Sequence, residues 1–313
     1  IRNVPDGQFR VRKKINRGTS KNSPELTTDL TDEENEFHFS YGASKHEREW
    51  LASSLEDFYR QQWFDDILRL IKGGGKEASV YQCLANETTE GEYLAAKVYR
   101  PRKFRQLRND SLYREGRLRL DDEGHEIHDG RALHAINKRT NFGMQLLHTS
   151  WIEHEFQTMK LLYEAGADVP QPFVSGNNAI LMAYIGWDDV PAPTLNSVEL
   201  NKDELRPVFE RVIQNIEIML DSQRVHGDLS AYNILYLEGE ISLIDFPQSI
   251  NPDENRNAYA IFQRDLRRLF EYFQRGGMAC DPEAWAKTLW QRHGYHIKPS
   301  IHPSLLEPEV FDE

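Results

Sequence analysis

The sequence predicts an α+β protein with a strand-rich first half and a mostly helical second half. A glycine run at residues 73–75 lies between two short apolar stretches, the pattern of two strands joined by a turn. In the second half, apolar residues recur every three to four positions, which is the period of an amphipathic helix. With 313 residues, the chain is long enough to form two compact lobes.

The composition narrows the class of protein. The net charge of −12 argues against a protein that coats nucleic acid, because binding to phosphate backbones favours a basic surface. No apolar run approaches the length of a membrane-spanning helix, so we expect no membrane contact. The two cysteines, Cys83 and Cys280, are far apart and are expected to be free thiols, which fits a cytoplasmic protein.

The first elements precede and include the glycine turn. Residues 1–44 are polar without a sustained period, and we expect a flexible tail. Residues 45–185 are expected to form a helical lead-in and the first lobe. The lead-in helix is predicted from Trp50, Leu51, Leu55, Phe58, Tyr59, Trp63, Ile67 and Leu68, which recur at helical spacing. The glycine turn at residues 73–79 then joins two strands.

A basic insertion at about residues 100–148 follows the strand at 93–99. Its basic residues begin with Arg100, Arg102, Lys103, Arg105, Arg108, Arg114, Arg117 and Arg119. Two interpretations remain open. The segment is either a solvated, mobile insertion of mixed charge or a docking surface for RNA or an acidic partner.

The remaining elements follow from periodicity and punctuation. A helix is predicted over residues 150–164, and two prolines then introduce a hairpin around 176–178. Residues 186–313 are expected to form the second lobe. Asn201 and Glu204 form a capping-box pattern before a helix, and residues 234–244 form a hairpin. A last helix should begin after Asp281, with Pro282 at its first position.

Three polar residues have the types and order that a metal–phosphate site requires. Asp228 is followed five residues later by Asn233, and Asp245 ends the second strand of the hairpin. Phosphoryl transfer needs a carboxylate that orients or deprotonates the acceptor, and hard oxygen ligands for Mg²⁺ or Mn²⁺. We therefore expect Asp228 to serve the acceptor, and Asn233 and Asp245 to bind the metal ion. His226 is expected to be structural and to hydrogen-bond the turn backbone.

The nucleotide side of such a site is predicted from the first half. The glycine turn can place backbone N–H groups and the Ser79 hydroxyl against phosphate oxygens. Lys97 lies in an apolar strand, where an ammonium group requires anions. Glu155 on the following helix is the expected partner, because it lies one turn before Met159 on the face predicted to point inward, and Glu153 is the alternative. Met182, at the end of its strand, is expected to face the nucleotide base.

These segments together resemble the RIO kinases, an atypical family of the protein-kinase-like superfamily. The similarity lies in the phosphate loop at residues 75–81, the lysine strand at 96–99, the glutamate helix at 151–156, the catalytic loop at 226–235 and the metal loop at 243–248. It implies a two-lobed protein-kinase-like fold that binds ATP and Mg²⁺ or Mn²⁺ between the lobes. Under it, the ATP-binding residues are Gly75, Lys76, Ser79, Val80, Lys97, Glu155, Met182, Tyr184 and Ile185.

The resemblance also implies an activity. It implies Ser/Thr phosphorylation that includes autophosphorylation, for which Ser111 in the insertion is a candidate. Some relatives are thought to act chiefly as ATPases that pass phosphate to the metal-loop aspartate, here Asp245. Archaeal and eukaryotic relatives act in small-subunit ribosome maturation.

The sequence departs from most protein kinases in two places. Gly227 stands where most have arginine, and no Ala-Pro-Glu follows Asp245. The activation segment is therefore expected to be short or absent. Residues before Lys45 do not match a winged helix, so we predict no nucleic-acid reading there.

Two other functions are compatible with the sequence. One is a small-molecule phosphotransferase of the aminoglycoside or choline kinase type, which shares the His-Gly-Asp loop. The other is an ATP-gated scaffold that binds a ribosomal or RNA-containing assembly through the basic insertion. The sequence names neither the protein substrate nor the oligomeric state.

Overall fold

The computed structural model describes residues 37–73, 78–100, 113, 115–176 and 178–297. Its elements are α1 (Lys45–Arg60), β1 (Phe64–Lys72), β2 (Ala78–Ala85), β3 (Tyr93–Tyr99), α2 (Gly130–Asn137), α3 (Asn141–Glu164), β4 (Pro172–Ser175), β5 (Ala179–Ala183), β6 (Gly186–Trp187), β7 (Val190–Pro191), α4 (Lys202–Asp221), β8 (Ile234–Leu237), β9 (Glu240–Leu243), α5 (Ala258–Arg275) and α6 (Pro282–Arg292). Single 3₁₀ turns lie at Leu195–Ser197 and Ala231–Asn233. The predicted α+β class is confirmed.

A five-stranded antiparallel sheet forms the first lobe, in the order β1-β2-β3-β5-β4. Strand β3 is central: Lys97 lies opposite Val80 of β2 on one side and Ile180 of β5 on the other. Side chains of one strand alternate between the two faces of the sheet. Lys97 and Tyr99 therefore share a face, and that face lies toward helix α3.

The packed part of the chain begins before the predicted boundary at residue 44. Phe37 and Phe39 are buried, and the Phe37 ring lies 4.9 Å from Tyr59 and 6.0 Å from Phe64 between ring centroids. The Tyr41 N–H also donates to the Ile67 carbonyl. An apolar pair of this length is too short to show a period in the sequence. Residues 1–36 of the expected tail lie outside the described part of the chain.

The lead-in helix is shorter than predicted. Helix α1 ends at Arg60, and Gln62 adopts a left-handed φ of +61°, which interrupts the helix. Strand β1 begins at Phe64, directly after Trp63, so the buried Ile67 belongs to a strand and not to the helix. The helical spacing of Trp63, Ile67 and Leu68 with the residues of α1 arose by chance, because these residues follow the end of the helix.

The described second part of the basic insertion is folded, which corrects the expectation of a mobile loop up to residue 148. Helix α2 lies within it, and α3 begins at Asn141 rather than at residue 150. Thr140 caps α3 by accepting from the Gly143 N–H. The two helices cross closely, because a Cβ on Gly143 would lie 2.1 Å from the Ala135 carbonyl oxygen.

The second lobe follows its sequence signals. The capping box of Asn201 and Glu204 begins α4, and Asp281 caps α6 with Pro282 at the first position. Helix α5 buries one face, and the residues of that face recur at helical spacing in the sequence: Phe262, Leu266, Leu269, Phe270 and Phe273. Strands β8 and β9 form the predicted hairpin.

Both cysteines are free thiols, as expected. Within the described ranges, no helix combines the length and the apolarity that crossing a bilayer requires.

Candidate active site

A cleft of about 410 Å³ lies between the sheet and the second lobe. This volume falls in the usual range of ligand sites, roughly 300–1,000 Å³. Of the residues predicted from the sequence, the cleft is lined by Val80, Lys97, Glu155, Met182, Tyr184, Ile185, Asp228 and Asp245. Residues 74–77 contain the predicted Gly75 and Lys76 and lie outside the described chain.

Lys97 joins the two lobes at the back of the cleft. Its Nζ lies 2.6 Å from Glu155 Oε1 and 2.6 Å from Asp245 Oδ1. Burial alone would lower the pKa of Lys97, but the two carboxylates raise it above its ordinary value, so the side chain stays charged. Glu153, the alternative partner, instead accepts hydrogen bonds from Gln157 at 2.7 Å and Ser175 at 2.6 Å.

Tyr99 holds the second oxygen of Glu155. Its hydroxyl donates to Glu155 Oε2, while Lys97 occupies Oε1. The Tyr99 ring is fully buried and packs edge-on against Trp151, with ring centroids 5.1 Å apart. Both carboxylate oxygens of Glu155 are thus fixed by residues of one face of β3. Sequence reasoning missed Tyr99, although its place two residues after Lys97 puts it on the same face.

Asp245 ends the β8–β9 hairpin in a strained conformation. Its φ is +74°, which is unusual for a residue other than glycine and is often found at functional sites. Burial would raise the pKa of Asp245, but the Lys97 ammonium lowers it below its usual range. The Ile244 N–H donates to the Asn233 carbonyl at 3.0 Å, so the hairpin brings the metal loop beside Asn233.

Asp228 is fixed on both of its oxygens. Arg268 on α5 donates from Nη1 to Oδ1 at 2.9 Å, and the Asn233 amide lies 3.3 Å from Oδ2. Burial and the nearby Asp265 raise the pKa of Asp228, whereas His226 and Arg268 act in the opposite direction. Arg268 is a second residue that sequence reasoning missed, because the helical period of α5 marks its apolar face and gives no role to a single residue of its polar face.

Hydrogen bonds of the Gly227 backbone anchor the loop before Asp228. The Gly227 N–H donates to Asp265 Oδ2 at 2.8 Å, and its carbonyl accepts from Arg264. Gly227 has a φ of +86°, and a Cβ there would lie 2.2 Å from the Gln248 carbonyl oxygen. Glycine is therefore required where most protein kinases carry arginine.

The predicted structural role of His226 is confirmed. Its Nε2 lies 3.1 Å from the Ile244 carbonyl, and its Nδ1 accepts from the Asp228 N–H at 3.3 Å. The neutral tautomer with hydrogen on Nε2 satisfies both contacts. The ring therefore ties the catalytic loop to the metal loop.

Ser79 does not offer its hydroxyl to the cleft, contrary to the sequence prediction. The side chains of Ala78 and Val80 line the cleft, whereas Ser79, between them in β2, is turned to the other face and is 3% exposed. The alternation of the strand is the physical reason.

The donor set fits a hard divalent cation. The Asn233 amide nitrogen donates to the Asp228 carbonyl at 2.9 Å, which leaves its oxygen available, and Asp245 uses only Oδ1 for Lys97. Asn233 lines the cavity beside Asp228 rather than the cleft itself. No cluster of three or more His, Cys, Asp or Glu ligands occurs in the described ranges. Mg²⁺ bound to a nucleotide typically needs only one or two protein carboxylates.

Comparison with known proteins is consistent with this geometry. The family model described as the RIO domain matches residues 79–285. The human serine/threonine-protein kinase RIO1 is 29% identical over 206 residues, which is 66% of this chain and 33% of that protein. The RIO-type serine/threonine-protein kinase Rio1 of Haloferax volcanii is 28% identical, covering 72% of this chain and 74% of that protein. The chain thus spans about a third of human RIO1.

A solved structure has the same fold. The crystal structure of the Rio2 kinase-ADP/Mg²⁺-phosphoaspartate complex from Chaetomium thermophilum superposes with a TM-score of 0.52 at 20% identity, covering 78% of this chain and 67% of that one. The two-lobed kinase-like fold is confirmed by this likeness.

Proposed function

Because the chain belongs to the RIO domain family, we propose that it transfers the terminal phosphoryl group of ATP to a serine or threonine hydroxyl. The observation that carries the proposal is the double contact of Lys97 with Glu155 and Asp245 at the cleft. A buried ammonium shared by two carboxylates, one from each lobe, keeps both lobes in a fixed relation around the phosphates.

Each site residue has a role in this proposal. Lys97, oriented by Glu155, binds phosphate oxygens, and the walls formed by Val80, Met182, Tyr184 and Ile185 hold the base. Asn233 and Asp245 would hold Mg²⁺ or Mn²⁺, which supplies charge neutralisation at the phosphates. Asp228 orients the acceptor hydroxyl and takes its proton.

A second activity, ATP hydrolysis through Asp245, is favoured by one observation. The Asp245 Oδ2 atom makes no hydrogen bond within the described residues, so this oxygen is available as a nucleophile. The Chaetomium Rio2 complex contains phosphoaspartate. In this chain the Asp245 oxygen would attack the terminal phosphorus, ADP would leave, and water would then release phosphate.

Incubation with labelled ATP and Mg²⁺ tests both activities. We expect self-labelling or ATP hydrolysis that Asp245→Ala abolishes and Lys97→Ala reduces by at least about a hundredfold. Glu164→Ala, on the exposed end of α3, is the control and should behave as wild type. Label on Asp245 is an acyl phosphate that hydroxylamine removes, whereas label on serine or threonine resists it. Activity that survives Asp245→Ala unchanged would overturn the metal and nucleotide assignment.

We also propose that an RNA-containing assembly partner, if the basic insertion binds one, contacts residues before Arg117. Arg117 itself donates to the Pro247 and Ser249 carbonyls and is thus committed to the fold. Pull-down from a ribosomal fraction with and without ATP tests whether such binding depends on nucleotide. Equal recovery by an Arg102→Ala, Lys103→Ala, Arg105→Ala variant would contradict the proposal.

A further inference from the structure

A second cavity, of about 740 Å³, lies against helix α5 and is separate from the nucleotide cleft. Among the residues described, Asp228 is the only one that lines both. Since Asp228 serves the acceptor in the proposed function, a molecule in this second cavity would present its hydroxyl at the point where the cleft ends. The inference therefore rests on that function and specifies its acceptor.

One face of α5 forms the floor of this acceptor cavity. Residues 268, 271, 272 and 275 follow the helical spacing of three and four and all line it. Tyr232 also lines the cavity, and this residue is 59% exposed, so its ring offers a packing surface. Asn196 closes the other end.

Charges along this floor occur in a defined order. Arg268 is paired with Asp228. Glu271 has no cationic partner among the described residues, and Arg275 donates only to the neutral Asn196 amide at 2.9 Å. Starting at Arg268, the floor thus presents a negative charge and, about one helical turn further on, a positive charge, and these two side chains form no ion pair with each other among the described residues.

The helix sets the spacing of these two charges. At a rise of about 1.5 Å per residue, Glu271 lies roughly 4.5 Å and Arg275 roughly 10 Å beyond Arg268 along the helix axis. An extended peptide advances about 3.3 Å per residue. With the acceptor hydroxyl at Asp228, and therefore beside its partner Arg268, the two charges match positions about one to two and about three to four residues from the acceptor.

We propose that the acceptor cavity binds a polypeptide segment in which a Lys or Arg lies one to two residues from the acceptor Ser or Thr, and an Asp or Glu lies three to four residues away on the same side. The basic side chain pairs with Glu271 and the acidic one with Arg275. The hydroxyl reaches Asp228, which takes its proton as the O–P bond forms and ADP leaves.

Two fluorescent peptides of identical composition test the proposal. One carries Arg near the serine and Glu farther away, and the other has these two residues exchanged. Each peptide is made in two versions, one with the charged pair before the serine and one with the pair after it. Binding is followed by fluorescence anisotropy at physiological salt, because equal net charge cancels non-specific attraction. We expect the matched peptide to bind at least about threefold more tightly than its exchanged form in one of the two directions.

The charge-exchanged protein gives the decisive comparison. In the double variant Glu271→Arg, Arg275→Glu, which keeps the net charge, the preference should invert. Glu164→Lys, an exposed change of charge on α3, should leave it unaltered. Equal binding of the two peptides by wild type, or a preference that the double variant retains, would overturn the proposal. ATP binding by wild type is measured separately, and its absence would count against the proposed function rather than against the cavity.

Discussion

Arg268 donates a hydrogen bond of 2.9 Å to Asp228, the carboxylate proposed to serve the acceptor, from a helix 40 residues further along the chain. The contact orients Asp228 and also opposes the rise of its pKa that burial and Asp265 cause. Arg268 is therefore a positioning residue for the proposed reaction.

Replacing this arginine should lower activity most at acidic pH. In Arg268→Met the pKa of Asp228 rises further, so less of the carboxylate is ionised as the pH falls. A lost charge-assisted hydrogen bond is worth about 1.5–3 kcal/mol, or at least roughly tenfold in rate. The measurement is labelling from ATP between pH 5.5 and 8. Arg267→Met removes an exposed neighbour that pairs with Glu283 and should keep the wild-type profile. A loss that is larger at pH 8 than at pH 5.5 would contradict the role of Arg268 in the ionisation of Asp228.

Loss of the Tyr99 hydroxyl should weaken ATP binding. Tyr99→Phe keeps the buried ring but leaves Glu155 Oε2 without its donor, which costs about 1–3 kcal/mol. The freed carboxylate no longer holds Lys97 in one position, so the Kd for ATP should rise several-fold. Tyr163→Phe, at an exposed tyrosine, is the control. Unchanged stability and ATP affinity in Tyr99→Phe would show that this hydrogen bond has no positioning role.

Stability should fall in mild acid because of His154. Its imidazole is buried beside Arg117 and bonds the Ser249 carbonyl at 2.9 Å; burial, followed by Arg117, lowers the pKa to about 3. In the unfolded chain the group takes up a proton near pH 6.5, so between these values the unfolded state binds more protons. The free energy of unfolding should therefore decrease as the pH falls below about 6.5, by about 2 kcal/mol at pH 5 from this group.

Urea unfolding at pH 7 and pH 5 measures this contribution. His154→Gln should be less stable than wild type at pH 7 but lose about 2 kcal/mol less between the two pH values. His46→Gln, at an exposed position of α1, should lose as much as wild type. An equal loss in His154→Gln and wild type would mean that other groups carry the acid sensitivity.

A methyl group at Gly227 should disrupt the catalytic loop. The added Cβ would overlap the Gln248 carbonyl oxygen at 2.2 Å, and the φ of +86° adds conformational strain. We expect Gly227→Ala to lower the free energy of unfolding by about 3 kcal/mol and to abolish labelling. Gly239→Ala separates the two effects, because Gly239 has a φ of +92° but open space around it. It should cost only about 1–2 kcal/mol and keep activity. Similar costs for both variants would show that the overlap is relieved by small movements.

Local signals allowed much of this fold to be predicted. The capping box at Asn201, the cap at Asp281 and the β8–β9 hairpin each depend on residues close in sequence, and each is where it was expected. The order Asp228, Asn233, Asp245 could be read for the same reason. The start of α3 could not, because its first turns are stabilised by packing on α2 across Gly143.

Contacts between distant segments lay beyond the sequence. Glu155 was preferred to Glu153 as the partner of Lys97, but the contact itself depends on which side of α3 meets β3. The hydrogen bond of Arg268 to Asp228 joins a helix to a distant loop. Ser79 was misassigned because the sequence does not show which face of strand β2 points to the cleft and which points to the core. Each of these depends on the relative placement of elements, which periodicity does not encode.

Only twelve residues, 246–257, join Asp245 to helix α5. Their single hydroxyl is that of Ser249, which is 1% exposed, and Arg117 and His154 fasten the backbone around it. Ser249 could be phosphorylated only if residues 246–257 first detached from the rest of the protein. The need for such local unfolding makes these twelve residues an unfavourable place for the phosphorylation switch that an exposed activation loop provides.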